Sequence, residues 1–345
     1  MRRLHFDALK PICPTCRRTA LVLEPGAQAT SNAVVSGVLR CLDPECGERF
    51  PIIAGVPILV PDVRGWLVVN LPLVLASDVE DAAVEAVISA ALGPDAAHNI
   101  SRAQQSRYAH DHYGDLFASE PDGAEPPPGR ARHCLAEALR HLGVGRGPRL
   151  DIGCTAGRTS FDLAAAYDVP VLGVDLNWPL LRIGRGILDR GLLRYPLRHG
   201  GDAYERRETY HFPPEAERVD FWIADAQALP FAANTFRLVV ALNGLDCVPD
   251  PARLVAEASR VTRPGGDIAF ATHFDQAPQA LAPSAWLEGP DALATMIAAA
   301  NSDIPGAKPL KPTRPPLDLP WPVRQQDEGT VVHRSRLMTM TAGAD

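Results

Sequence analysis

From residue 149 to 272 short apolar runs alternate with amphipathic helical runs, and this alternation most narrows what the chain can fold into. The runs at 149–152, 170–174, 219–224, 237–242 and 266–272 have strand length. Those at 157–167, 178–190 and 251–261 carry apolar residues at helical spacing. Strands separated by helices must cross over and pair in parallel, which predicts a doubly wound α/β sheet. Val323–Gln326 and Val331–Thr341, across an Asp-Glu-Gly turn, read as a terminal antiparallel hairpin.

The strand ends carry the chemistry. Arg149 to Arg158 reads R-L-D-I-G-C-T-A-G-R, in which a strand ends at Asp151, turns on glycine and enters a helix. Such a turn lets a ligand approach bare backbone at a helix N-terminus. Asp175 ends the second strand, 24 residues after Asp151, where a carboxylate can accept both hydroxyls of a ribose. Asp225 follows the third strand, Asn243 ends the fourth, and Arg263-Pro-Gly-Gly turns into the fifth. Successive parallel strands end on one rim, where ligands bind. A nicotinamide dehydrogenase would need the third glycine of G-x-G-x-x-G, which 151–158 lacks, and leaves Asp225 without a role.

Four of the seven cysteines fall within the first fifty residues: Cys13 and Cys16, a gap of 24 residues, then Cys41 and Cys46. Two close thiol pairs on turns form a zinc-ribbon pattern, a closed four-sulfur site that implies structural Zn2+. The alternatives are four reduced structural thiols or, in a secreted chain, disulfides; no signal-peptide core follows Met1. Residues 191–218 read as an inserted mixed-charge loop whose Arg194, Arg198, Arg206 and Arg207 either clamp a carboxylate or face solvent. The 33 prolines cluster near 121–128, 213–214 and 305–322 and mark loops. Ser77-x-x-Glu80 is a capping box before apolar helical spacing at Val79 to Ala90, and further helices are expected over 96–110 and 132–142. A net charge of -7 weighs against a broad grip on nucleic acid, and no run reaches membrane-spanning length. The expectation is a cytoplasmic protein.

Residues 8–62, with Phe50-Pro51-Ile52 and Gly55-Val56-Pro57, resemble the small zinc-ribbon activator subunit of tRNA, rRNA and release-factor methyltransferases. The series D-I-G-C-T-A-G-R, G-V-D, A-D-A-Q-A-L-P-F and R-V-T-R-P-G-G over 149–272 resembles class I S-adenosylmethionine-dependent methyltransferases, nearest the ubiquinone/menaquinone branch. G-C-x-x-G-R-T-S-F, A-L-N-G-L-D-C-V and L-P-W-P-V-R resemble the methyltransferase module of ovothiol-type synthases. The resemblance implies a Rossmann-like seven-stranded class I methyltransferase fused to its own ribbon, with S-adenosyl-L-methionine as cofactor. It places Asp151, Gly153, Cys154 and Gly157 at the methionine end, Asp175 and Leu176 at the ribose, Asp225 and Ala226 at the adenine, and Asn243 near the sulfonium. Thr155 stands where the family usually has glycine, which restricts φ there.

Methyl transfer needs alignment and, for a protonated nucleophile, a base. Asp246, three residues after Asn243, is a candidate base whose other reading is a helix cap; His273, past the fifth strand, is a second. Tyr108, His110, His112 and Tyr113 are read as part of a lid over the cofactor, with a polar surface helix as the other reading. Trp286, Trp321 and Arg324 belong to the segment that lines the acceptor pocket in this fold. The expected organisation is a ribbon (1–65), a helical cap and linker (66–147), the cofactor-binding core (148–275) and a C-terminal substrate-side segment (276–345). The expected partner is a small methyl acceptor, without nucleic acid or membrane, and a protein contact through the ribbon stays open. The rival functions are an RNA base methyltransferase, against which stands the missing Asn/Asp-Pro-Pro-Tyr/Phe motif for its adenine-N6 form, and a non-catalytic cofactor-binding scaffold.

Overall fold

The computed structural model describes residues 1–75, 84, 87–88, 91–93, 95–117, 127–143, 145–201, 203–273, 296–297, 304–327 and 329–343. The capping box at Ser77, its helical spacing except Val87, the linker positions 119–126 and Trp286 lie outside the described residues.

The central sheet rests on β6 (Arg149–Ile152), β7 (Val171–Asp175), β10 (Val219–Ala224), β11 (Phe236–Leu242) and β12 (Thr262–Thr272). They pair in parallel in the order β10-β7-β6-β11-β12. Every residue of β6 and β10 is buried, because helices cover both faces of a parallel sheet. The connecting helices are α5 (Arg158–Ala166), α6 (Trp178–Arg190) and α7 (Pro251–Val261). The last two start where the sequence predicts: the Asn177 side-chain Oδ1 accepts from Leu180 N and the Asp250 carboxylate from Arg253 N, each followed by an early proline. At the far edge β15 (Gly329–Ala342) runs antiparallel to β12, and β13 (Leu310–Pro312) and β14 (Leu317–Gln326) pair with it.

The Pro-rich stretch 305–322, read as loop, therefore contributes two strands. β14 pairs only with β15 among the described strands, so it is an edge strand. Pro320 and Pro322 are two apart and share the phase whose missing N–H costs no ladder bond. The insertion at 191–218 is likewise not a loop: β8 (Leu192–Gly200) and β9 (Ala203–Tyr210) form their own antiparallel pair. Its charges alternate with apolar residues, and Leu193, Tyr195 and Leu197 bury the other face.

The N-terminal strands do not stand apart. Helix α1 (Arg3–Leu9) precedes β1 (Leu21–Leu23), β2 (Gln28–Ala29), β3 (Val34–Cys41), β4 (Arg49–Ile53) and β5 (Val56–Leu59), an antiparallel meander. Its last strand lies parallel to β10, Ile58 opposite Ile223 and Leu59 opposite Ala224, so one sheet of thirteen strands runs through the described residues. Val56, Ile58 and Leu59 are fully buried there. Two polar anchors fix the junction. His5 Nε2 lies 3.0 Å from Val171 O and 2.9 Å from Arg218 O. Asp220, fully buried on β10, accepts from Arg2 N (2.7 Å), Arg185 Nη1 (2.9 Å) and Trp222 Nε1 (2.9 Å).

Three further helices complete the layers. Helix α2 (Val63–Leu75) is mostly apolar, with Arg64 and Asn70 its polar side chains, and leaves Val68, Val69 and Leu75 exposed beside a groove of about 630 Å³. Helix α3 (Ala97–Tyr113) extends one turn past its expected end, and α4 (Arg130–Leu139) falls two to three residues early.

Asp220 carries the junction, so Asp220→Ala, which strips a buried guanidinium and a buried indole N–H of their acceptor, should cost about 3–5 kcal/mol. The check is the urea unfolding midpoint, with Asp220→Asn expected to recover part of the loss.

Candidate functional site

The glycine turn between β6 and α5 is built on left-handed backbone: φ is 70° at Gly153, 49° at Thr155 and 88° at Gly157. Gly153 opens to empty space where a side chain would stand. Gly157 differs, since a Cβ there would lie 2.4 Å from the Phe221 ring. Packing therefore demands this glycine as much as any ligand does. The Cys154 thiol is fully buried, so only its backbone borders the turn, and burial pushes the thiol well above its usual range. Asp151 Oδ2 accepts from Thr159 Oγ1 and Ser160 Oγ, both at 2.7 Å. Burial still raises its pKa to about 6, and the negative charge of nearby Asp175 adds to the effect.

Thr155 occupies its left-handed conformation with the help of helix α3. Arg158 N donates to His112 Nδ1 (3.1 Å), so the neutral ring carries its proton on Nε2, which reaches Thr155 Oγ1 at 2.9 Å. One residue on, Tyr113 Oη donates to Ala156 O (2.9 Å). Two of the ring-bearing residues in this helix, His112 and Tyr113, thus brace the turn. Burial and the Arg158 charge lower the His112 pKa to about 3. His110 lies elsewhere, beside Arg324 and Arg207, and its pKa falls to about 4 through burial first.

The remaining strand ends line the same rim. Asp175 Oδ2 accepts from Thr155 N (2.9 Å) and Oδ1 from Asn177 N (2.8 Å), which fixes the carboxylate, while burial raises its pKa. Leu176 follows and is exposed, and its carbonyl accepts from Trp66 Nε1 of α2 at 3.3 Å. Asp225 Oδ1 accepts from Gln227 N (2.8 Å), which shapes the loop that starts with Ala226. Asn243, at φ 56°, presents its side chain to β15: Ser335 Oγ donates to its Oδ1 at 2.6 Å. Its Nδ2 is buried without a protein acceptor among the described residues.

Asp246 sits buried in the turn Leu245–Cys247. Asp250 caps the helix that follows, so capping is not the role of Asp246. Tyr108 projects from α3 toward the same place. Although 41 % of the residue is exposed, burial of the hydroxyl lifts its pKa to about 12, and the charges of Cys247, Asp175 and Asp246 contribute. His273 follows β12. It stacks on His333 (centroids 4.8 Å) and meets Trp321 edge-on (5.2 Å), and burial lowers its pKa to about 4. Three of the four arginines singled out in the insertion have partners within its hairpin: Arg194 pairs with Glu208 (2.6 Å), Arg207 with Glu205 (3.0 Å), and Arg198 donates to Gly201 O. Arg324 reaches that hairpin too, through Arg198 O at 2.7 Å. Sequence reasoning missed Trp66, Ser335 and His333. Ser335 and His333 share a phase on β15, but only the pairing shows what they face.

The Sγ atoms of Cys13, Cys16, Cys41 and Cys46 all lie within 4.8 Å of one another, the one such metal-type group among the described residues. Cys13 and Cys46 are 3.8 Å apart and Cys16 and Cys41 3.7 Å, too long for disulfides. A tetrahedron with bonds of ~2.3 Å to sulfur has edges of ~3.8 Å, so the thiols fit zinc.

Residues 150–270 match the family model described as a methyltransferase domain. Methyltransferase GfsG of Streptomyces halstedii is 26% identical over 162 residues, 46% of this chain and 49% of that protein. The ubiquinone biosynthesis O-methyltransferase of Aromatoleum aromaticum is 30% identical over 134 residues, 39% of this chain and 47% of that protein. Norajmaline N-methyltransferase of Rauvolfia serpentina is 28% identical over 167 residues, 47% and 49%. The chain spans about half the length of these curated relatives. Among solved structures, the YcgJ protein of Bacillus subtilis superposes with a TM-score of 0.41 at 13% identity, covering 62% of this chain and all of that one. Residues 150–270 thus match a methyltransferase domain, and the sheet they form has the Rossmann-like α/β architecture. No described helix is long and apolar enough to cross a membrane.

Thr155→Val removes the acceptor of a buried N–H and should cost about 1–3 kcal/mol in thermal unfolding. His112 also has a pH signature. Its folded pKa of about 3 lies below the unfolded value, so its contribution is complete above pH ~6.5 and is lost as pH falls from there toward 3. Nitrogen shifts of the ring at pH 5 should show a neutral imidazole protonated on Nε2; an imidazolium would contradict the assignment.

Proposed function

We propose that the protein is an S-adenosylmethionine-dependent methyltransferase that acts on a nitrogen or oxygen of a small molecule. The observation that carries the reading is the Asp175 carboxylate, pinned at the end of β7 by Thr155 N and Asn177 N. It is oriented to accept both ribose hydroxyls, beside a turn that opens at Gly153. The unpartnered Asn243 Nδ2 and the ionisable Asp151 supply polar groups for the rest of the cofactor. Asp225 and Ala226 border the adenine, with Leu176 on the side braced by Trp66. When bound, S-adenosylmethionine supplies an electrophilic methyl group on a sulfonium.

The chain's part is to align an acceptor and take its proton. Asp246 is the group for the proton. Tyr108, with a pKa of about 12, stays protonated at neutral pH and donates a hydrogen bond to the acceptor. His273, at about 4, is a weak base near neutrality, so with His333 and Trp321 it forms an aromatic wall rather than a proton relay. The relatives' printed names are of small-molecule methyltransferases, which supports a metabolite acceptor. An amino-acid or imidazole-type compound suits the wall of rings. Cys13, Cys16, Cys41 and Cys46 hold one structural Zn2+, a closed set with no position left for chemistry.

The test is to incubate the purified protein with methyl-labelled donor and a metabolite extract, and in parallel with RNA. Label in a low-mass fraction that includes imidazole compounds is expected. Label in RNA only would transfer the reading to a nucleic-acid enzyme, and label in neither would favour a scaffold. Asp175→Ala should weaken donor binding by about 10- to 100-fold, the loss of charged hydrogen bonds worth ~1.5–3 kcal/mol. Donor affinity should also fall as pH drops through about 6, where Asp151 takes up a proton.

A further inference from the structure

The loop after β10, residues 225–231, is gripped from two directions. From α7, Glu257 Oε2 accepts from Leu229 N (2.9 Å), and Arg260 donates to Phe231 O (2.7 Å) and Leu229 O (3.2 Å). From the four-cysteine region, Ile12 N donates to Pro230 O at 2.9 Å. Arg17, the residue after Cys16, donates to Glu257 Oε1 at 2.5 Å. Glu257 is fully buried and lies between Arg17 and Arg260, which approaches it at 2.8 and 2.9 Å. The backbone of Arg17 is left-handed, φ 59°, and its N–H donates to Cys13 O at 2.8 Å, closing the first cysteine turn. The turn that presents Cys13 and Cys16 is therefore the same turn that aims the guanidinium at Glu257.

We propose that Arg17 and Glu257 are positioning residues for the cofactor's adenine: the cysteine turn, through Arg17, sets the carboxylate that holds Leu229, and so sets the loop that begins at Asp225. The inference rests on the reading of Asp225 and Ala226 as the adenine border. The physical argument is one of competition. A carboxylate removed from water needs its charge compensated, and Arg260 alone must also serve two loop carbonyls. With Arg17 in place, Glu257 Oε1 accepts from Arg17 and from Arg260 Nε, and Oε2 accepts from Leu229 N and from Arg260 Nη2. Without it, the buried carboxylate loses one of its two cations and a donor on Oε1, and its orientation toward Leu229 N loosens. Filling of the four-thiolate site and donor affinity are thereby linked, although the thiols touch no part of the donor site.

The experiment uses the full chain with its metal content measured. In Arg17→Ala, the Kd for S-adenosylhomocysteine by calorimetry should rise about tenfold, which is ~1.4 kcal/mol. Metal content should be retained and the thermal midpoint should stay within a few degrees of wild type. Hydrogen exchange of the 225–231 amides should accelerate, while that of the 151–157 turn should not change. Arg17→Lys should restore part of the affinity, and chelation should weaken binding in wild type more than in Arg17→Ala. Unchanged affinity and unchanged exchange in a metal-loaded Arg17→Ala overturn the proposal. Asp225→Ala separates the two levels: if it binds with wild-type affinity, the adenine reading itself fails; if it loses affinity while Arg17→Ala does not, only the coupling fails.

Discussion

The parallel pairing of β5 with β10 is the constraint on which the rest depends. A strand from the cysteine-bearing meander occupies what would otherwise be an open edge of the doubly wound sheet. An exposed parallel edge would leave backbone donors and acceptors unmet. Here they are met by Ile58 and Leu59, and the buried Asp220 holds Arg2 and Arg185 at the same seam. The N-terminal segment can in turn touch the loop that leaves β10 through Ile12, and helix α7 through Arg17. The cysteine-bearing meander and the doubly wound sheet are consequently one packing unit, joined by polar contacts at Asp220 and Glu257.

The rim chemistry follows from the same sheet. Parallel strands deliver Asp151, Asp175, Asp225 and Asn243 to one side without any local contact among them in sequence. What refines the rim comes from elements that pack on it: α3 through His112 and Tyr113, α2 through Trp66, and β15 through Ser335. Burial also divides the ionisable groups by task. Tyr108 is held protonated, His112 and His273 are held neutral, and Asp151 is left able to change charge near pH 6.

Much of this was legible beforehand for identifiable reasons. The helices at 178–190 and 251–261 were readable because apolar spacing and an Asn or Asp cap with an early proline agree. The glycine turn was readable because only a few residues tolerate left-handed backbone. Thr155 conflicted with that rule, and the conflict is resolved by a histidine 43 positions away. The hairpin at 192–210 was misread because paired opposite charges across a hairpin look, along one chain, like a mixed-charge loop. Val323–Gln326 reads as a hairpin strand and is one, but its start at 317–322 reads as loop because proline is excluded from central strands though not from an edge.

The sequence by itself determined the alternation of strands and helices, the four cysteines and the acidic or amide residue at each strand end. These are local patterns, written in spacing and in backbone preference. Only the tertiary structure decided that β5 joins β10, that His112 steadies Thr155, that Ser335 orients Asn243, and that Arg17 meets Glu257 across 240 residues. Each of those contacts arises when groups distant along the chain are buried together and must satisfy one another's hydrogen bonds, a condition that no spacing rule encodes.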